Sequence, residues 1–373
     1  MKKWVKSLIT LLAIVTLVVP LAGCGSGNKS SAKSQSTTTS KTITDEAGDK
    51  VQIPKKVNRI AVLVLPLPSF LAVFFNATKK IVTMPQPSMA AAKNSLLSEL
   101  YPDILKVNTK YNKGTDINIE ELKKSKPDVV LYNADDTHMK KKLLNAGFTA
   151  VGFSMSNWHY NAMETQKHWI ALLSKMFPEN NKVKLVDDYS DKITNLVQKR
   201  VKKISPAQRQ KVLFLFQYDN SMIVTSGKDN WGQYWADASG AINVSKGLKG
   251  AATVNMEQIY KWNPQRIFIT NFTTAQPADL YNNTIGNYDW SKVAAVKNKK
   301  VSKMPLGMYR GYTPGADTPV TLLWMAKTVY PDQFKDINIL KETKAYYKKV
   351  FNVTLTDQQA EKIFKAPSAA SAY

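Results

Sequence analysis

The chain has 373 residues, 52 Lys and Arg against 28 Asp and Glu for a formal charge of +24, and 44% hydrophobic residues; it is too apolar for disorder, and its length points to two folded domains. One cysteine and three histidines exclude a disulfide framework and a zinc centre built from several thiolates or imidazoles. The basic excess would suit nucleic-acid binding, but the lysines are dispersed in small clusters such as Lys140-Lys141-Lys142, and no nucleic-acid fold signature accompanies them.

The chain opens with Lys2, Lys3 and Lys6, an apolar run over residues 7–20, and Leu21-Ala22-Gly23-Cys24. The run is shorter than the roughly 18 residues of a spanning helix and has the layout of a secretion signal. Its end resembles the lipobox of bacterial lipoproteins, which implies a signal peptide over residues 1–23, cleavage before Cys24 and lipid on the Cys24 sulfur. The expected location is extracytoplasmic, held on the cell membrane by that lipid. Removing the three leader lysines leaves +21 of the +24, a charge suited to an anionic cell envelope. Residues 24–41 beyond the leader are rich in Gly, Ser, Thr and Lys without apolar periodicity, a flexible stalk.

Order is expected from residue 42. Ile43, the Gly48-Asp49 turn and Val51-Gln52-Ile53 predict a small hairpin. Residues 58–65 hold a continuous apolar run, the pattern of a strand buried on both faces, and similar runs recur at 81–83, 129–132, 150–153, 212–216, 267–270 and 301–304. Helical patterns at 140–146, 162–176 and 232–239 separate them. This alternation predicts an α/β chain of two parallel-sheet lobes, with the first over 42–180 and the second over 206–373.

An internal repeat supports the division. The segment from Asn118-Ile119-Glu120 to Pro127-Asp128-Val129 aligns without gaps on Asn255-Met256-Glu257 to Pro264-Gln265-Arg266. Each copy reads as a short helix capped by Asn, with Glu near its positive end, stopped before Pro and leading into a buried strand. Between the copies, residues 183–204 place Leu185, Tyr189, Ile193, Leu196, Val197, Val201 and Ile204 at steps of three and four, one apolar face of a helix about 33 Å long at 1.5 Å per residue. That helix, within a linker over 181–205, joins the lobes as a stiff rod.

The order of these features resembles the substrate-binding lipoproteins of ABC importers for ferric siderophores, haem and cobalamin. The resemblance is carried by Thr44-Asp45-Glu46-Ala47-Gly48, Asn58-Arg59-Ile60, the two Asn-apolar-Glu segments, the central helix, Gly240-Ala241-Ile242-Asn243-Val244, and Leu323-Trp324-Met325-Ala326-Lys327 followed by Tyr330-Pro331. It implies two Rossmann-like lobes joined by one helix, a ligand cleft between them, modest closure on ligand, and Glu120 and Glu257 docking onto arginines of a dimeric permease. It also implies a monomer that carries cargo rather than a resident cofactor.

In open α/β sheets, ligands gather beyond the carboxyl ends of the strands. Met84, Trp158, His159, Tyr160, Tyr218, Trp231, Tyr309, Arg310 and Tyr312 all follow or end such strands. The aromatics could wall a planar or catechol-bearing chelate and Arg310 could pair with its charge; ordinary packing is the alternative for each. His159 could ligate iron or simply pack at a helix start, and no protein–metal bond is expected. A ferric siderophore is the preferred cargo, with haem, cobalamin or an oxyanion on the same scaffold as alternatives. No Gly-x-Ser-x-Gly or His-Glu-x-x-His pattern occurs, so catalysis by a secreted hydrolase is not expected; a wall-binding lipoprotein is the other rival.

Overall fold

The computed structural model describes residues 39–113 and 116–371. Cys24, the leader and most of the stalk lie outside the described residues. The described residues fall within one compact unit.

The predicted hairpin is β1 (Ser40–Thr44) paired antiparallel with β2 (Lys50–Pro54). Next come β3 (Ile60–Val62), β4 (Ile81–Thr83), the short pair β5 (Asn112–Lys113) and β6 (Asp116–Ile117), β7 (Val129–Asn133) and β8 (Ala150–Phe153). A parallel sheet is ordered β4-β3-β7-β8. After the helix Val183–Val201 come β9 (Lys211–Tyr218), β10 (Ile223–Ser226), β11 (Ile242–Asn243), β12 (Ala251–Val254), β13 (Arg266–Ile269) and β14 (Val301–Lys303). The second sheet is ordered β12-β10-β9-β13-β14, with β11 beside the start of β9.

The apolar runs mark strands accurately because strands covered on both faces carry no polar alternation. Val129, Val130 and Leu131 are fully buried, as are Leu213, Phe214 and Leu215. The second sheet departs from a purely parallel one: β10 runs antiparallel to both β9 and β12. The cause is local. Asp219 Oδ1 accepts from the N–H of Ser221 and Met222 at 2.7 and 3.0 Å, an Asx turn that folds β9 back into a hairpin.

The repeat is visible in the backbone. Helices Ile119–Lys124 and Met256–Trp262 start at Asn118 and Asn255, whose side chains accept from the first-turn N–H groups. Each copy then passes through a left-handed residue before its proline, Lys126 at φ 45° and Asn263 at φ 43°, and enters β7 or β13.

The helix Val183–Val201 begins where predicted and ends three residues sooner. Val186 belongs to the core over the first sheet, while Ile193, Val197 and Val201 belong to a core over the second. One amphipathic face thus serves two cores. The chain end returns across this division: Tyr346, Tyr347, Val350, Phe351 and Ile363 pack into the first sheet's core. That return depends on long-range packing.

Candidate functional site

At the carboxyl ends of β3, β8, β9 and β13 lies a cavity of about 190 Å³ lined by Leu65, Pro66, Met155, Tyr160, Trp169, Phe216, Asn230, Trp231, Phe272, Thr313 and Pro314. Both sheets contribute to it. Tyr160, on the loop after β8, meets Trp231, in the first turn of helix Trp231–Ala238, edge to face at 5.2 Å and 76°. Phe216 and Phe272 also line it, their rings 5.3 Å apart. Larger hollows lie on other surfaces, such as one of about 440 Å³ bordered by Gln276, Lys303, Trp324 and Phe364, but the aromatic cavity is the one where strand ends from both sheets converge.

The loop carrying Tyr160 is held by two carboxylates. Asp135 accepts from Ser154 Oγ (2.7 Å), Met155 N (2.9 Å), Ser156 N (3.1 Å) and Ser156 Oγ (2.7 Å). Burial pushes its carboxyl up, yet these bonds outweigh that and hold it below the usual range. Glu46 accepts from Ser154 N at 2.6 Å, and its carbonyl accepts from Asn157 Nδ2 at 2.8 Å. Burial raises the Glu46 carboxyl to about 7, with the nearby Asp135 charge adding to the effect. Asp45 fixes the adjoining hairpin to β8 by accepting from Gly152 N at 2.7 Å. These bonds give the Asp45-Glu46 motif a mechanical role that the sequence reading did not assign. His159 and Tyr160 both take left-handed backbone conformations, at φ 49° and 55°. Such conformations are costly outside glycine and persist where the surroundings fix them.

Of the sequence-nominated ligand residues, Tyr160 and Trp231 are brought together on the cavity wall. Trp158 is half-buried, stacked on His168 at 3.3 Å, and His159 is exposed. Tyr218 is buried in the outer core of the second sheet, donating to Ile285 O and accepting from Trp290 Nε1. Met84 is buried in the core of the first sheet.

Tyr312 sits behind the cavity, its ring 5.6 Å from Phe216, and its hydroxyl donates to Asn230 Oδ1 at 2.9 Å while accepting from Gly232 N at 3.2 Å. Tyr309 is buried, and Arg310 is fully buried, its guanidinium 4.7 Å from the Phe272 ring centre and donating to Ala370 O and Pro87 O. Lining residues that the sequence reading did not single out include Leu65, Trp169, Phe216, Phe272, Thr313 and Pro314. Phe216 lies inside a strand rather than after one, where the strand-end rule does not look.

Glu120 and Glu257 are exposed in the first turns of equivalent helices. Each helix leads through its proline into a parallel strand of its sheet, β7 or β13. Among the described residues, no group of three or more His, Cys, Asp or Glu side chains is arranged to hold a metal, and no helix is long and apolar enough to cross a membrane.

Comparison with known proteins agrees with this architecture. The family model described as periplasmic binding protein matches residues 80–306. The molybdate-binding protein MolA of Haemophilus influenzae is 25% identical over 339 residues, spanning 85% of this chain and 93% of the relative. The iron-uptake system-binding protein of Bacillus subtilis is 24% identical over 311 residues, spanning 79% and 90%. The crystal structure of a periplasmic solute binding protein from Veillonella parvula superposes with a TM-score of 0.76 at 29% identity, covering 87% of this chain and 97% of that one. With a match over more than half its length, and with two sheets bridged by one helix around an aromatic cleft, the chain belongs to the periplasmic binding protein family, the solute-binding proteins of ABC importers.

Proposed function

We propose that this protein captures an iron chelate, with a ferric siderophore preferred, and delivers it to a dimeric import permease while tethered outside the cytoplasm by lipid on Cys24. The observation that carries the cargo reading is the cavity wall: aromatic and aliphatic side chains apart from Asn230 and Thr313. Such a wall suits the flat organic faces of a chelate, which supplies its own metal ligands. The iron-uptake name of the Bacillus relative points the same way. Molybdate, named for the Haemophilus relative, is the competing cargo, but a bare oxyanion is held by clustered donors and cations. The Asn230 side-chain oxygen already accepts from Trp231 N and Tyr312 Oη.

Glu120 and Glu257 are the proposed docking points. Their matching exposure in the first turns of equivalent helices supports this role, which supplies orientation and association rate more than affinity.

The test is thermal unfolding with ferric trihydroxamate, ferric tris-catecholate, haem, cobalamin and molybdate. A cargo at 100 times its Kd stabilises by about 2.7 kcal/mol. The proposal expects ferric chelates to stabilise at micromolar concentration; stabilisation by molybdate alone would overturn it.

A further inference from the structure

The aromatic cavity, at about 190 Å³, falls short of the roughly 300–1,000 Å³ of ordinary small-molecule pockets. Phe272, one of its lining residues, carries the Arg310 guanidinium 4.7 Å from its ring centre, and Arg310 in turn holds the chain's own segment 366–371. Ala366, Ala370 and Ser371 are 5%, 0% and 2% exposed, with Ala366 and Ala370 packed on Leu306. Arg310 Nε and Nη2 donate to Ala370 O at 3.2 and 3.0 Å. The same Nη2 donates to Pro87 O at 3.3 Å, in the first turn of helix Gln86–Lys93. Gln276 Nε2 reaches Ala366 O at 3.3 Å and Ser368 Oγ at 3.1 Å.

This bed touches the cavity's walls at two points. Phe272 is shared, lining the cavity and also carrying the Arg310 guanidinium against its ring. Ser88, beside Pro87, donates from Oγ to the carbonyl of cavity-lining Leu65 at 2.7 Å.

Two details suit a displaceable occupant. Few side chains anchor the segment, whose bonds run mainly through its own carbonyls. Ser371 Oγ is buried without a hydrogen-bond partner among the described residues, a cost that a well-fitted permanent element avoids.

A second basic side chain is buried nearby. Lys303, buried close to Arg310, gives its ammonium to Thr273 O and Ala275 O at 2.6 and 2.7 Å. Burial, and next the Arg310 charge, pull its pKa down to about 7.

We propose that the bed of residues 366–371 is a second cargo subsite, joined to the aromatic cavity, that receives an anionic arm of the chelate on Arg310 in place of Ala370 O. The arm is a carboxylate or catecholate. The inference rests on the iron-chelate reading of the cavity and narrows it to anionic chelates that move the segment aside.

The experiment uses the full chain and three probes: ferric citrate, the ferric tris-complex of 2,3-dihydroxybenzoate, and a neutral ferric trihydroxamate. Binding is read by tryptophan fluorescence, and the segment by hydrogen–deuterium exchange and by tryptic cleavage after Lys365. The anionic chelates should raise exchange across 366–371 several-fold and speed that cleavage, while the neutral chelate leaves both unchanged.

Gln276→Ala, which removes two tethers, should bind the anionic chelates about tenfold more tightly, because a larger fraction of molecules is ready to bind. Anionic chelates that bind while exchange at 366–371 stays level or falls overturn the subsite alone. So does equal movement with the neutral chelate, or binding of the neutral chelate only. Failure of every chelate to bind wild type and Gln276→Ala overturns the iron-chelate reading as well. If Gln276→Ala does not fold, the exchange pattern of the wild type decides.

Discussion

Replacing Glu46 by Gln tests the account of the Tyr160 loop. Glu46 sits beneath residues 154–157, holding Ser154 N and, through its carbonyl, Asn157. Burial raises its carboxyl from an ordinary 4.5 to about 7. Each unit is worth about 1.4 kcal/mol, so the shift corresponds to about 3 kcal/mol at most, reduced by whatever solvent reaches the group. The sign follows from linkage. Below about pH 4.5 both the folded and unfolded states carry the proton, and the group's full contribution is present. Between 4.5 and 7 the unfolded state ionises while the folded state keeps its proton, so stability falls as pH rises, and the contribution is gone above about 7.

Glutamine keeps the shape and cannot ionise. Urea denaturation at intervals from pH 4 to 8.5 should therefore show the wild type losing about 2–3 kcal/mol relative to Glu46→Gln across that window. Profiles that run parallel to within about 0.5 kcal/mol would refute the assignment of a buried, protonated Glu46.

Four further outcomes follow from the structure. Tyr160→Ala removes the edge contact with Trp231 and should lower stability by only about 1 kcal/mol while weakening ferric chelate binding about tenfold; Tyr218→Phe, outside the cavity, should cost about 1–3 kcal/mol of stability and leave binding unchanged in the same titration. Gly307→Ala would set a Cβ 1.3 Å from Asp317 Oδ2 and should cost about 3 kcal/mol or more, whereas Gly247→Ala, with nothing within 4 Å, should stay within about 0.5 kcal/mol in urea melts. Glu120→Ala combined with Glu257→Ala should change stability by under about 1 kcal/mol, spare cargo affinity and abolish uptake of labelled chelate by cells; normal uptake would remove the docking role. Cys24→Ser should shift the protein from the membrane fraction to the medium, as read by immunoblot.

Much of the fold is legible in the sequence because parallel strands and an amphipathic rod leave direct prints. The strands at 81–83 and 150–153 and the helix Ala162–Met176 appear where the apolar pattern puts them. The hairpin from β9 to β10 escaped that reading because its signal is one Asx turn at Asp219 rather than a periodicity. The site is harder to read.

Tyr160, Trp231, Tyr218 and Tyr312 are all aromatics at strand ends, yet whether a ring faces a cavity or a core depends on partners far away in sequence. Trp290 claims Tyr218, and Ser226, Asn230 and Gly232 claim Tyr312. Arg310 illustrates the same limit. Its flanking Gly307 and Gly311 suggest an exposed loop on which an alanine substitution costs little. Its carbonyl partners, Pro87 and Ala370, lie 223 and 60 residues away and bury it completely, so Arg310→Ala is expected to destabilise.

The most direct measurement is the iron anomalous signal from a crystal of this protein grown with ferric tris-catecholate. The account predicts one iron peak in the hollow walled by Tyr160, Trp231, Phe216 and Phe272. A peak confined to an outer hollow such as that beside Trp324 and Phe364, or chelate that binds in solution without entering the aromatic cavity, would contradict it.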